Sequence, residues 1–245
     1  MSGLLEVRVL QAADAERAEA GGADRVELVG SVEAGGLSPE PALVGQVRRA
    51  TELPLRVLVR LRPGYSTDGG ELVRLQGLVT SYRAVGADGV VVGFLNAHTE
   101  IDVPVVAAVV GDPSTGSGER WGWTFDRAVD SCMSLDRAWR VLKQLPGLDQ
   151  VLTAGSARGV SEGLDELVHR AETDEFARTK IMAGGELQAE QVPWLVRAGV
   201  RAFHLDQAVR PGGSWKAYVD ADLVRTWRTL IDATVARDLH RAERG

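Results

Sequence analysis

The chain has 245 residues, a formal net charge of −6 and 44% hydrophobic residues, which is the size of one α/β barrel and the composition of an ordinary globular domain. Only Lys143, Lys180 and Lys216 among the 28 basic residues are lysines, and no basic tail or face is readable, so non-specific nucleic-acid binding is excluded from the expectations. A lone cysteine, Cys132, rules out an internal disulfide.

The opening residues, Met1-Ser2-Gly3-Leu4-Leu5-Glu6, carry no signal-peptide pattern, and the longest apolar run, Val103 to Val110, is too short to span a bilayer. A cytoplasmic protein without membrane contact is expected.

In chain order, eight short β-branched runs alternate with helical patterns. The predicted strands are Leu5–Leu10, Arg25–Val29, Leu55–Leu61, Gly89–Phe94, Gly122–Asp126, Gln150–Thr153, Thr179–Met182 and Ala202–Leu205. The predicted helices are Asp14–Ala20, Pro41–Ala50, Gly70–Val85, Pro104–Val110, Ser134–Leu145, Val160–Glu172, Gln188–Ala198 and Ala221–Ala236, with Asp102 and Ser134 as N-caps.

Three joints, at Gly22, Gly86 and Gly199, share a glycine suited to the left-handed position after a helix, followed at once by a strand. No Gly-x-Gly-x-x-Gly follows the first strand, which disfavours a nucleotide-binding open sheet. The fold class is therefore α/β, a single (β/α)8 TIM-like barrel with its core at about residues 4–236. Loops that follow strands gather on the functional face. The segment Gly111–Gly118 precedes a strand, belongs on the opposite face, and reads as a flexible loop.

Charges inside buried strands are costly unless paired or facing a wet pocket. Alternation predicts that Glu6, Glu27, Arg60, Asp126 and His204 point inward. One reading is a structural ion-pair network that plugs the barrel. The other is a site for a small polar or anionic ligand. In it, Glu6, Glu27, Asp126 and His204 are candidate catalytic groups, and Arg60, Arg62, Arg127 and Asp130 are ligand-binding candidates. Thr153 and Gly155, with Gly184 and Gly185, follow the sixth and seventh strands, where backbone N–H groups can approach an anion.

No Cys-x-x-Cys, His-x-His or His-Glu-x-x-His is present. A divalent ion among the mouth carboxylates is one possibility, and Cu(I) at Cys132, with Met133 or His204 nearby, is another.

Several stretches together resemble the CutC family, proteins named for copper homeostasis. They are Gly22-Ala23-Asp24-Arg25-Val26-Glu27-Leu28, Gly35-Gly36-Leu37-Ser38-Pro39, Val59-Arg60-Leu61-Arg62-Pro63, Thr124-Phe125-Asp126-Arg127-Ala128-Val129-Asp130, Val151-Leu152-Thr153-Ala154-Gly155 and Ile181-Met182-Ala183-Gly184-Gly185. The resemblance implies a TIM-type barrel, a cytoplasmic location, a dimer and a copper-homeostasis function with copper-ion binding. It attaches no reaction. Family cysteines after the first Glu and at the end of the second strand are replaced here by Val7-Arg8-Val9-Leu10 and Val29-Gly30-Ser31, and the family's histidine in the fifth strand is Asp126. Two functions stand against each other: a copper-binding homeostasis protein, and an enzyme or binding protein for a small anionic or sugar-like metabolite.

Overall fold

The computed structural model describes residues 3–111 and 121–242. Eight parallel strands close into a barrel in sequential order: β1 (Leu4–Val9), β2 (Arg25–Leu28), β3 (Leu55–Leu58), β4 (Gly89–Val92), β5 (Gly122–Phe125), β6 (Leu148–Thr153), β7 (Ile181–Ala183) and β8 (Ala202–Leu205). Around them lie α1 (Ala12–Gly21), α2 (Pro41–Ala50), α3 (Gly69–Ala84), α4 (Val103–Val110), α5 (Leu135–Leu142), α6 (Val160–Thr173), α7 (Glu175–Lys180), α8 (Val192–Arg197) and α9 (Ala221–Ala242). This is the expected (β/α)8 barrel. Most of the loop expected at Gly111–Gly118 lies outside the described residues.

Local signals hold where their mechanism is specific. Asp102 accepts from the Val105 amide at 3.2 Å and Ser134 from that of Arg137 at 3.4 Å, as caps should. Gly22, Gly86 and Gly199 adopt φ of 92°, 94° and 95°, which a residue with a Cβ resists.

Boundaries move for identifiable reasons. Strand pairing ends early in β2 to β5, yet single bonds continue past it, such as Val59 N to Val91 O and Asp126 N to Val92 O, both 2.9 Å. The stretch 188–198 breaks into a 3-10 turn at Ala189–Gln191 and then α8, because Pro193 has no N–H to offer the first helical turn. The unanticipated α7 is capped by Asp174, whose carboxylate accepts from Phe176 N and Ala177 N; it takes Thr179 and delays β7 to Ile181.

The strands sort their side chains by alternation. Val7, Val26, Val57, Trp123, Val151 and Phe203 face the helices in the main apolar core. The inward positions hold two small apolar clusters, Val29/Leu58/Val91 and Leu152/Met182/Ala202, with charged residues between and above them. Glycine makes room for these charges. A Cβ on Gly89 would lie 1.9 Å from Arg56 Nη1, and one on Gly122 would lie 2.1 Å from Arg56 Nη2. Arg56 Nη2 donates to Asp149 at 2.7 Å. Arg25 reaches Gln150 Oε1 and Met182 Sδ, each at 3.4 Å. Below the mouth, then, the barrel is a packed ion-pair plug. Above it, the interior opens.

Candidate active site at the barrel mouth

Register explains which charges meet. Glu6 sits beside Arg25 on β2 and beside His204 on β8, while Arg8 sits beside Glu27. Each pair becomes a contact. Glu6 Oε2 accepts from Arg25 Nε, and Glu6 Oε1 lies 2.8 Å from His204 Nδ1. Glu27 Oε2 accepts from Arg8 Nε at 2.8 Å and stands 3.4 Å from His204 Nε2. Both carboxylates are wholly buried.

Burial works to raise the Glu6 carboxyl, but the Arg25 charge and the His204 hydrogen bond outweigh it and bring the pKa down to about 2. An ionised Glu6 is an acceptor, so the hydrogen-bond network assigns the Nδ1–H proton to His204. His204 Nε2 and Glu27 Oε1 are buried and make no hydrogen bond among the described residues.

A second set of charges lies beside them. Arg60 donates to Asp126 Oδ2, and Asp126 Oδ1 accepts from Ala128 N at 2.8 Å, capping a short 3-10 turn. This needs glycine at 93, where a Cβ would fall 1.7 Å from Asp126 Oδ1. The Arg60 guanidinium covers the Tyr65 ring at 4.8 Å. Burial and the Asp126 charge push the Tyr65 hydroxyl pKa up. Arg127 donates to Asp130 at 2.9 Å and to the Ser156 carbonyl at 3.0 Å. Asp130 also accepts from Thr153 Oγ1 at 2.6 Å and Ala154 N at 2.9 Å; burial nevertheless raises its carboxyl.

The mouth cavity has a volume of about 220 Å³, room for about seven waters or a ligand of that order. His204, Asp126, Arg60 and Arg127 line it, as do Arg8, Tyr65, Glu186, Asp206, Gln207 and Trp215, six residues absent from the sequence-derived candidates. For Arg8 and Asp206 the signal was present: each lies two residues beyond an inward-facing group, Arg8 within β1 and Asp206 just past the end of β8. Tyr65, Glu186 and Trp215 come from loops, where no period marks the face.

Of the remaining candidates, Gly185 also lines the cavity, and the others fall elsewhere. Glu6 and Glu27 lie behind His204 rather than in the cavity wall. Arg62 has a side chain 42% exposed and pairs with Asp68 at 3.3 Å and Glu71 at 3.2 Å, outside the mouth lining. Thr153 and Asp130 sit behind Arg127. The expected row of backbone donors needs correction. Gly155 N bonds Thr153 Oγ1 at 3.0 Å, and Gly184 N bonds Thr153 O at 3.1 Å. These glycines serve close packing: a Cβ at Gly155 would meet Gly163 O at 2.4 Å, and one at Gly185 would meet Arg127 at 2.6 Å.

The metal candidates can be tested against their donors. Glu6, Glu27 and His204 each offer an atom within 4.8 Å of the others. Both Glu6 oxygens and Glu27 Oε2 are already engaged, which leaves Glu27 Oε1 and His204 Nε2 as two unengaged donors, fewer than a divalent ion takes unless it displaces a guanidinium from a buried carboxylate. The set fits an ion-pair network better than a metal centre. Cys132 lines a separate pocket with His98 and Met133, away from His204. Burial, with Asp130 and Glu100, pushes its thiol up to about 11, and Sγ points at Ala128 O at 3.7 Å. Cu(I) wants a thiolate held among several soft donors. A half-buried protonated thiol beside a Met133 that is 83% exposed does not fit that need.

Fold and mouth together define a (β/α)8 barrel with a polar, internally paired site at the C-terminal ends of its strands. The family model described as the CutC family matches residues 3–209. A CutC family protein of Klebsiella pneumoniae is 32% identical over 237 residues, covering 91% of this chain and 92% of the relative. One from Xanthomonas campestris is 35% identical over 207 residues, covering 82% and 81%. The chain belongs to the CutC family. The structure of CutC from Streptococcus agalactiae, whose name refers to copper homeostasis, superposes with a TM-score of 0.70 at 21% identity, covering 82% of this chain and 97% of that one. That likeness bears on the fold. Among the described residues, no helix is long and apolar enough to cross a membrane.

Proposed function

We propose that this protein is an enzyme that acts on a small polar metabolite at the barrel mouth, with His204 as the proton-transfer group. One observation carries the reading. An ionised Glu6 holds His204 Nδ1 at 2.8 Å, while Nε2, buried and 3.4 Å from Glu27 Oε2, makes no hydrogen bond among the described residues in a side chain that lines the cavity. A carboxylate behind an imidazole fixes its tautomer and orientation and leaves the other nitrogen to exchange a proton with a bound ligand.

Glu27 stands by to stabilise the imidazolium once it forms, its Oε2 being 3.4 Å from Nε2. Asp126 and Arg60 position the ligand, and Tyr65 adds a hydroxyl at the wall. A protein whose charges served stability alone would need the lower plug, but not a cavity above it.

Copper homeostasis is the function in the name of the Streptococcus relative. For this chain, copper binding rests on family naming and meets a donor set that does not suit Cu(I). A cytoplasmic location belongs to the same proposal and rests on the family resemblance. The family resemblance suggests a dimer, but every residue invoked at the mouth comes from one chain.

The test is metabolite profiling by mass spectrometry. Purified wild type, His204→Gln and Asp126→Asn are each incubated with a fractionated metabolite mixture. Depletion of a compound by wild type, abolished in His204→Gln, supports the enzyme. Stoichiometric retention without conversion reduces the reading to a binding protein. Equal behaviour of wild type and both variants refutes it.

A further inference from the structure

The mouth also carries information about what it can accept. Each arginine of its wall already touches a carboxylate: Arg8 with Glu27, Arg60 with Asp126, and Arg127 with Asp130. Two lining carboxylates, Glu186 and Asp206, have no ion pair among the described residues. Asp206 accepts one hydrogen bond, from Gln207 N at 2.6 Å. The Glu186 side chain accepts none among the described residues. An acidic ligand entering this cavity would find every lining guanidinium engaged and two further carboxylates in the wall, Asp206 in the field of Arg8 and Glu186 exposed, neither of them ion-paired among the described residues.

The backbone supports a role for Glu186. Its φ is 59°, and only Thr99 shares a positive value among the described non-glycine residues. That conformation costs of the order of 1 kcal/mol for a residue with a Cβ. Glycine is the residue such a position ordinarily takes, and Gly185 precedes it.

An aromatic surface completes the wall. Trp215 lines the cavity and lies past the residues matched by the family model. It stacks 5.1 Å from the guanidinium carbon of Arg210. Arg210 is buried and locked in place: it donates to Asp14 Oδ2 at 2.9 Å and to Ala217 O at 2.6 Å. Asp14 in turn accepts from Val219 N at 2.9 Å and Leu10 N at 3.0 Å. The segment bearing Trp215 is therefore tied down on both sides.

We infer that the ligand of the mouth is a non-acidic polyol of monosaccharide size, uncharged or bearing an amine. It would donate its hydroxyls to Glu186 and Asp206 and lay its carbon face on Trp215. Carboxylates are acceptors only, which suits a ligand rich in O–H or N–H donors. An indole offers a wide apolar face at low entropic cost. The inference rests on the mouth being the functional site, and it removes the acidic half of the expected ligand class.

The experiment is a thermal-shift and calorimetric panel on the full chain. It uses aldohexoses and their alditols in several stereochemical series, each as the neutral compound, the 2-amino compound and the 6-phosphate. Neutral or amino members are expected to bind wild type at least tenfold more tightly than their phosphates. Glu186→Gln/Asp206→Asn and Trp215→Ala should each weaken that binding tenfold or more, while Trp215→Phe retains most of it. Tighter binding of phosphates, blocked by Arg60→Gln, would overturn the ligand class yet keep the mouth as the site. Binding that survives both the mouth variants and Arg60→Gln, or no binding by any member, would overturn the class and the site together.

Discussion

Replacing Glu6 by Gln removes one charge from the floor of the mouth and little volume. Glu6 is wholly buried between Arg25 and His204, and its pKa falls from 4.5 to about 2 on folding. Through linkage, that difference corresponds to about 3 kcal/mol of stability at neutral pH. Stranding a buried partner gives a similar figure of about 3–5 kcal/mol. Arg25 would lose its charged partner and keep only neutral acceptors at position 6, Gln150 and Met182.

The folded value lies below the unfolded one. The contribution is therefore complete above about pH 4.5 and is lost as the pH falls toward 2. Urea unfolding of wild type and Glu6→Gln, followed by tryptophan fluorescence from pH 7 to pH 3, reads both quantities. The gap is expected to be about 3 kcal/mol at pH 7 and to narrow by about 1.4 kcal/mol per unit below pH 4.5. A gap under 1 kcal/mol at pH 7, or one that does not narrow in acid, would refute the ionised Glu6 on which the His204 assignment depends.

Three further outcomes follow from single features. Gly93→Ala places a Cβ 1.7 Å from Asp126 Oδ1, so the Arg60–Asp126 pair must shift; a loss of about 1–3 kcal/mol in urea unfolding is expected, with ligand binding at the mouth abolished. Asp14→Asn breaks the buried pair with Arg210 and should cost about 3–5 kcal/mol, with limited proteolysis appearing first between residues 206 and 219; cleavage elsewhere would contradict the clamp. With its thiol raised to about 11 from 9.0, Cys132 should react with iodoacetamide at pH 8 about a hundredfold more slowly than an unperturbed cysteine, and a rate equal to that of free cysteine would show the thiol is not held protonated.

Where one residue type answers one backbone demand, the sequence is readable. Gly22, Gly86 and Gly199 mark helix ends because a positive φ excludes most alternatives, and Asp102 and Ser134 mark helix starts because an orphan N–H needs an acceptor. The strand alternation was equally legible, and it carried Glu6, Glu27, Asp126 and His204 to one region. Yet alternation cannot say how deep a side chain lies. Glu6 and Glu27 are absent from the cavity wall, and Arg25 and Arg56, which form the plug, were not singled out.

Glycines misled for a different reason. Gly155, Gly184 and Gly185 look like anion-binding loops, but their small size admits Gly163, His204 and Arg127. Arg62 shares the alternation of Arg60, but strand pairing ends at Leu58, the last bond of the strand is Val59 N to Val91 O, and past Arg60 the phase is lost. Glu186 and Trp215 have no periodic context at all, so only tertiary structure could place them.

A crystal structure of the protein soaked in the metabolite fraction it depletes or retains tests the central claim most directly. The account predicts an ordered small molecule in the mouth cavity, within hydrogen-bond distance of His204 Nε2 or the Asp126–Arg60 pair and contacting Trp215. A ligand ordered instead in the pocket of Cys132 and Met133, with only water at the mouth, would contradict it.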